Sequence, residues 1–129
     1  MIAPTYWLSY DDRPGYLFAR VQGLTDSLAT SISFWQEIAL EARERGAQRL
    51  LVQESFRNGV SAAETLDLCQ FLSGLFERLS LQHLRIAFLD EQLSHLEENQ
   101  HAAQTATDYG LCVKVFADLD AAEQWLLAE

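Results

Sequence analysis

Five short β-prone runs alternate with four longer stretches of helical periodicity along this chain of 129 residues. Strands that are separated by helices need right-handed crossovers, which leave successive strands parallel. The first two runs are joined by the short turn Asp12-Arg13-Pro14-Gly15, which predicts an antiparallel hairpin. We therefore expect one α/β domain over residues 1–129, in the order β-β-α-β-α-β-α-β-α. The predicted strands cover residues 5–10, 16–21, 50–52, 84–89 and 111–116 of a mostly parallel sheet.

The ends of the four predicted helices are marked by capping residues. Thr25 or Asp26 is expected to cap the first helix. Ser61 and Glu64 form the pattern S-x-x-E, a capping box that starts the second helix. The third helical region, residues 91–109, is the most polar of the four. The remaining predicted ends are Gly46 and Gly110 as C-terminal stops and Asp118 as the last N-cap.

The charge of the chain limits its partners. Nineteen acidic and nine basic side chains give a formal net charge of −10. Such a surface repels phosphate backbones and anionic lipid head groups, so we expect no nucleic-acid partner and no membrane insertion.

The start of the chain lacks a signal-peptide pattern, which predicts a cytoplasmic protein of bacterial type. Cys69 and Cys112 are both expected to be small core residues rather than a disulfide.

The segment from Arg49 to Glu64 combines a buried strand, a polar loop and a helix start. Ligand and regulatory sites of open α/β domains gather at such junctions. Within the loop, Phe56 either folds back onto the core or lies exposed for a partner, while Arg57 and Asn58 offer polar contacts. The loop is thus the expected contact surface, although it is poor in catalytic groups.

Several short segments of the sequence are characteristic of a known family. They are Gly23-Leu24-Thr25-Asp26, Trp35, Arg49-Leu50-Leu51-Val52, Val115-Phe116-Ala117-Asp118, Ala121-Ala122 and Trp125-Leu126. In these segments the chain resembles the SpoIIAA-like branch of the STAS superfamily, which is sometimes grouped with Sec14-type lipid-binding domains. The resemblance covers essentially the whole chain and implies a STAS-like fold with five strands and four helices.

In anti-sigma-factor antagonists of that superfamily, a serine at the start of the helix after the central strand accepts a phosphate. The family pattern there is an Asp-Ser-Ser-Gly run, which is absent from the equivalent segment here. Ser55 at the strand end and Ser61 at the helix start are the two residues that could be placed similarly. Helix capping is the stronger interpretation of Ser61, and the two roles are compatible.

Catalytic and metal sites are weakly indicated. Gly59-Val60-Ser61 is only a partial match to the hydrolase pattern G-x-S-x-G. Glu91, His95 and Glu98 share one helical face, but an acidic surface helix produces that spacing by chance, so we expect solvated surface. No acid, base and nucleophile converge, and the sequence predicts a protein that is not an enzyme and needs no cofactor and no metal.

Two functions remain open from the sequence. The leading one is a non-catalytic STAS-like interaction or regulatory module, with Ser55, Phe56, Arg57, Asn58 and Ser61 as its contact residues. The alternative is a carrier for a small apolar or amphipathic, lipid-like ligand held between the sheet and the helices. A homodimer is a further open alternative, because an edge strand rich in aromatic residues could pair with a copy of itself.

Overall fold

A computed structural model describes residues 6–57 and 61–128. Thr5, at the start of the first predicted strand, and the predicted site residue Asn58 lie outside the described residues. The strands are β1 (Trp7–Arg13), β2 (Tyr16–Gln22), β3 (Arg49–Ser55), β4 (Arg85–Leu89) and β5 (Cys112–Phe116). The helices are α1 (Leu28–Glu44), α2 (Ala62–Arg78), α3 (Leu96–Asp108) and α4 (Leu119–Leu127), with a 3₁₀ turn at Leu93–His95 before α3.

The described strands form one sheet in the order β1-β2-β3-β4-β5. β1 pairs with β2 in antiparallel orientation, and the other three pairs are parallel. Each crossover moves one strand further in the same direction, so right-handed connections place α1, α2 and α3 on one face of the sheet. α4 packs on the other face, against β3 and β4. The predicted mixed sheet with four helices is confirmed.

The core has two parts, one on each face of the sheet. The larger part lies under α1, α2 and α3 and includes Phe34, Ile38 and Phe76. The smaller part lies under α4 and includes Phe18 and Leu126. Strands that are covered on both faces read as continuous apolar runs. Accordingly, three consecutive residues of β3 are fully buried: Leu50, Leu51 and Val52.

Most of the predicted helix ends are confirmed. Ser61 and Glu64 form the reciprocal capping box of α2, and Asp118 accepts from the backbone of Ala121 at the start of α4. Gly46 and Gly110 follow α1 and α3 with positive φ angles of 66° and 92°. This left-handed backbone favours glycine after a helix.

Two predictions were wrong. The N-cap of α1 is Ser27, whose side chain accepts from the backbone of Thr30, and neither Thr25 nor Asp26. Cys112 is exposed at the start of β5, whereas Cys69 is buried as expected. Side chains alternate between the two faces of a strand. Cys112 therefore points away from the face that carries Leu111 and Val113 into the larger core.

Candidate functional site

A cavity of about 140 Å³ lies between the sheet and the layer formed by α1, α2 and α3. Most of its wall is apolar, with Leu68, Leu72 and Phe76 from α2 and Val113 and Val115 from β5. Ala102, Ala103 and Ala106 of α3 also line it. The small side chains of α3 leave the space that larger residues at these positions would fill.

The strands bring acidic side chains to one end of the cavity. On β3, Leu50 and Val52 point into the larger core, and the next residue on that face is Glu54. On β4, Ile86 and Phe88 occupy the equivalent places, and Asp90 follows them. Val52 lies opposite Phe88 in the parallel pairing. The same alternation therefore carries Glu54 and Asp90 to neighbouring positions at the carboxyl end of the sheet.

Asp26 is a buried carboxylate held by the start of α1. Its oxygens accept hydrogen bonds from the Ser31 hydroxyl at 2.7 and 2.8 Å, and one of them accepts from the Ser27 backbone at 2.8 Å. Burial raises the pKa of Asp26 and is only partly opposed by these hydrogen bonds. Its position is thus fixed by the turn that precedes the helix.

Asp90 is also fully partnered. Its Oδ1 accepts from the backbone of Gln92 at 3.0 Å. Its Oδ2 lies 2.9 Å from Nδ1 of His95 and accepts from Nδ2 of Asn99 at 3.1 Å. Because a carboxylate oxygen accepts, Nδ1 of His95 carries the proton in this contact. Asp90 therefore ties the end of β4 to the turn before α3 and to α3 itself.

Glu54 differs from the other two carboxyl groups because its side chain makes no hydrogen bond or ion pair with the described residues. Glu54 is half-buried, and its carboxyl group lines the cavity, where its oxygens keep some accessible area. Burial raises its pKa well above the usual value, and the charges of Asp26 and Asp90 add to the effect. A half-buried carboxyl group in this position is open on its cavity side to a hydrogen-bond donor.

The predicted contact residues separate into a surface group and a core residue. Ser55 and Arg57 are exposed at the end of β3. The Ser55 carbonyl accepts from the Gly23 backbone, and the Arg57 backbone donates to the Leu24 carbonyl. Ser61 is exposed and caps α2, where its side chain accepts from the Glu64 backbone at 3.2 Å.

Phe56 folds back onto the core, which is the first of the two conformations that the sequence left open. It is 3% exposed, and its ring stacks on Phe34 with 5.8 Å between ring centroids. Its carbonyl accepts from the Gln92 side chain at 2.8 Å. Phe56 is therefore not an exposed anchor in this structure; its side chain lines the cavity.

The sequence analysis missed the acidic end of the cavity. The sequence patterns indicate a cap for Asp26 and solvated surface for His95 and Glu98, but all three line the cavity, and of the three Glu98 is exposed as expected. The alternation of side chains between the two faces of a strand was a usable signal. It puts Glu54 and Asp90 on the same face as the buried residues two positions earlier. Within residues 6–57 and 61–128, no three His, Cys, Asp or Glu side chains are arranged to hold a metal ion.

None of the helices in the described part of the chain is both long enough and apolar enough to cross a membrane. No protein-family model matches the sequence. No curated protein matches it either.

The structure is similar to the crystal structure of an uncharacterized protein of the DUF3478 family from Shewanella loihica PV-4, described as having a SpoIIAA-like fold. The two chains are 14% identical, the alignment covers 98% of each, and the TM-score is 0.56. The chain thus has the SpoIIAA-like fold that the sequence resemblance implied. At this identity the likeness shows the fold alone.

Proposed function

We propose that this protein is a non-catalytic, STAS-like binding module that holds a small apolar or amphipathic ligand between its sheet and the helices α1 to α3. The observation that carries the proposal is the cavity of about 140 Å³ with apolar walls and a polar end. Small-molecule sites usually combine an apolar concavity with a few convergent polar groups. The carrier function is supported more directly than the interaction function, because Phe56 belongs to the cavity wall rather than to the surface.

The size of the cavity limits the ligand. An engineered protein cavity of about 150 Å³ accepts benzene. A ligand whose buried part is about the size of a phenyl ring or a short alkyl chain therefore fits without rearrangement. A larger lipid-like molecule needs the helices to move apart.

Titration with benzyl alcohol, followed by amide chemical shifts in NMR, tests the binding function. We expect saturable shifts concentrated at cavity residues such as Cys69 and Val113. Ala103→Leu adds bulk to the wall and should weaken binding at least about tenfold, which corresponds to about 1.4 kcal/mol. Ala121→Leu is the matched control, because Ala121 is exposed on α4 at the other face of the sheet. Binding that is absent, or equal in both variants, would contradict the carrier function.

The interaction function is the second candidate, and the exposed end of β3 favours it. Ser55 and Arg57 present their side chains to solvent, and their backbone is held by hydrogen bonds to Gly23 and Leu24. Phe56 between them reaches the cavity, so an occupied cavity would contact the same segment from inside. A partner that binds this segment could therefore respond to the ligand.

A further inference from the structure

We propose that the ligand of this cavity is a primary amine with a compact apolar body, bound with its ammonium group against Glu54. This inference rests on the carrier function proposed above and adds the chemical class of the ligand. Three features carry it: the sign of the charges around the cavity, the unpartnered state of the half-buried carboxyl group of Glu54, and the size and character of the apolar wall.

The titratable groups that line the cavity are mostly acidic, whereas β5 contributes only the apolar residues Val113 and Val115. These titratable groups are Asp26 before α1, Glu54 on β3, Cys69 on α2, Asp90 after β4, and His95 and Glu98 at the start of α3. No described lysine or arginine lines the cavity. A carboxylate or phosphate head group would meet uncompensated negative charge, and the chain as a whole carries −10. The negative charge favours an organic cation both as it approaches the protein and inside the cavity.

Among the described carboxyl groups of the cavity lining, Glu54 and Glu98 lack a hydrogen-bond or ion-pair partner, and of these two Glu54 is half-buried whereas Glu98 is exposed to solvent. Asp26 is held by Ser27 and Ser31, and Asp90 by Gln92, His95 and Asn99. The half-buried carboxyl group of Glu54 lines the cavity without a described hydrogen-bond donor. Buried charged groups in proteins are normally paired. An ammonium group supplies several N–H donors and a charge of the right sign.

The wall of the cavity suits the rest of such a molecule. Trp35, Phe56 and Phe88 place aromatic rings around the cavity, and aromatic faces attract cations. Leu72 and Phe76 line it with apolar surface for a phenyl ring or a short alkyl chain. Benzylamine combines both parts at about the size that the cavity accepts.

Isothermal titration calorimetry with three probes of one shape tests the inference: benzylamine, benzyl alcohol and benzoate. We expect benzylamine to bind at least about tenfold more tightly than benzyl alcohol, and benzoate to bind more weakly than both. Glu54→Gln should remove the preference for benzylamine, so that benzylamine and benzyl alcohol bind this variant with about equal affinity. Glu44→Gln, which removes an exposed carboxylate of α1, should change neither.

Proton release is a second readout that does not depend on a variant. The pKa of Glu54 in the empty protein is raised by burial, so an ammonium group that pairs with its ionised form displaces the proton. The apparent enthalpy of benzylamine binding should then vary with the ionisation enthalpy of the buffer near neutral pH. The enthalpy of benzyl alcohol binding should not vary in this way.

The outcomes distinguish the amine inference from the carrier function on which it rests. Equal affinity for benzylamine and benzyl alcohol, with both blocked by Ala103→Leu, overturns the amine inference and leaves the carrier function in place. The amine inference is also overturned if Glu54→Gln binds benzylamine as the native chain does. Failure of all three probes to bind overturns both.

Discussion

Glu54 is a single residue whose ionisation should be visible in the stability of the whole protein. Folding raises its pKa, because its carboxyl group leaves water without gaining a described partner. The folded state therefore binds this proton more tightly than the unfolded chain does. The stabilising contribution of the protonated group is complete below the unfolded pKa, near 4.5, and is lost as the pH rises towards the folded value.

Glu54→Gln should consequently stabilise the protein at neutral pH. We expect the free energy of unfolding to rise by roughly 1–2 kcal/mol at about pH 8 and to change little at about pH 4, because the neutral amide avoids an unpaired buried charge. Urea unfolding at both pH values measures this difference. Glu44→Gln is the control and should stay within about 0.5 kcal/mol of the native chain at each pH. A Glu54→Gln variant that is less stable at the higher pH would contradict the interpretation.

The residues of the cavity show what the sequence could and could not predict. The buried strand at Leu50 to Val52 and the capping box at Ser61 follow from local patterns, and both were predicted. Asp26, Glu54 and Asp90 belong to three different parts of the chain. Their convergence depends on which strands are neighbours and in which register, and no local pattern specifies either property.

At the scale of single elements, the start of α2 offers the clearest test. Ser61→Ala removes the side-chain acceptor for the Glu64 backbone, and we expect a loss of about 1 kcal/mol, as is typical for an N-cap. Ser61→Asp should retain most of the stability, because Asp is also a good N-cap and its charge suits a helix start. Thermal or urea unfolding of the two variants provides the measurement.

Ser55→Ala is the matched control for the Ser61 variants, since Ser55 is exposed and lies in the same junction. Its stability should change by less than about 0.5 kcal/mol. If Ser61→Ala is as stable as Ser55→Ala, the capping box does not contribute as the geometry indicates. Phosphorylation of Ser55 or Ser61 stays a prediction from the family resemblance.

β1 is the other element with an open question. It forms one edge of the described sheet, and Trp7 is 61% exposed on it. An exposed edge with an aromatic side chain is the kind of surface that proteins cover or protect. The homodimer expected from the aromatic N-terminal strand stays a prediction.

At the scale of the whole molecule, the fold places a basic side chain at an exposed position on a strongly acidic chain. Arg57 lies at the carboxyl end of the sheet, next to Phe56 of the cavity wall. If this end is the contact surface, Arg57→Glu should remove at least one protein that the native chain retains in a pull-down. Charge reversal in a contact costs affinity through repulsion.

Arg43→Glu is the matched control for Arg57→Glu, because Arg43 is exposed near the C-terminal end of α1. Arg43→Glu makes the same change in net charge as Arg57→Glu but at a different position. Identical sets of retained proteins for both variants and the native chain would contradict a contact surface at Arg57.

The direction of the crossovers has a consequence for how a ligand can enter. Many open α/β sheets bind ligands in a crevice at a topological switch point, where neighbouring strands send their connections to opposite faces. Between β2 and β5 the connections all pass over the same face, so the parallel part of this sheet has no such crevice. The occupant must lie beneath the helix layer and reach its place from the partly open edge of the cavity, where the exposed Glu98 lies.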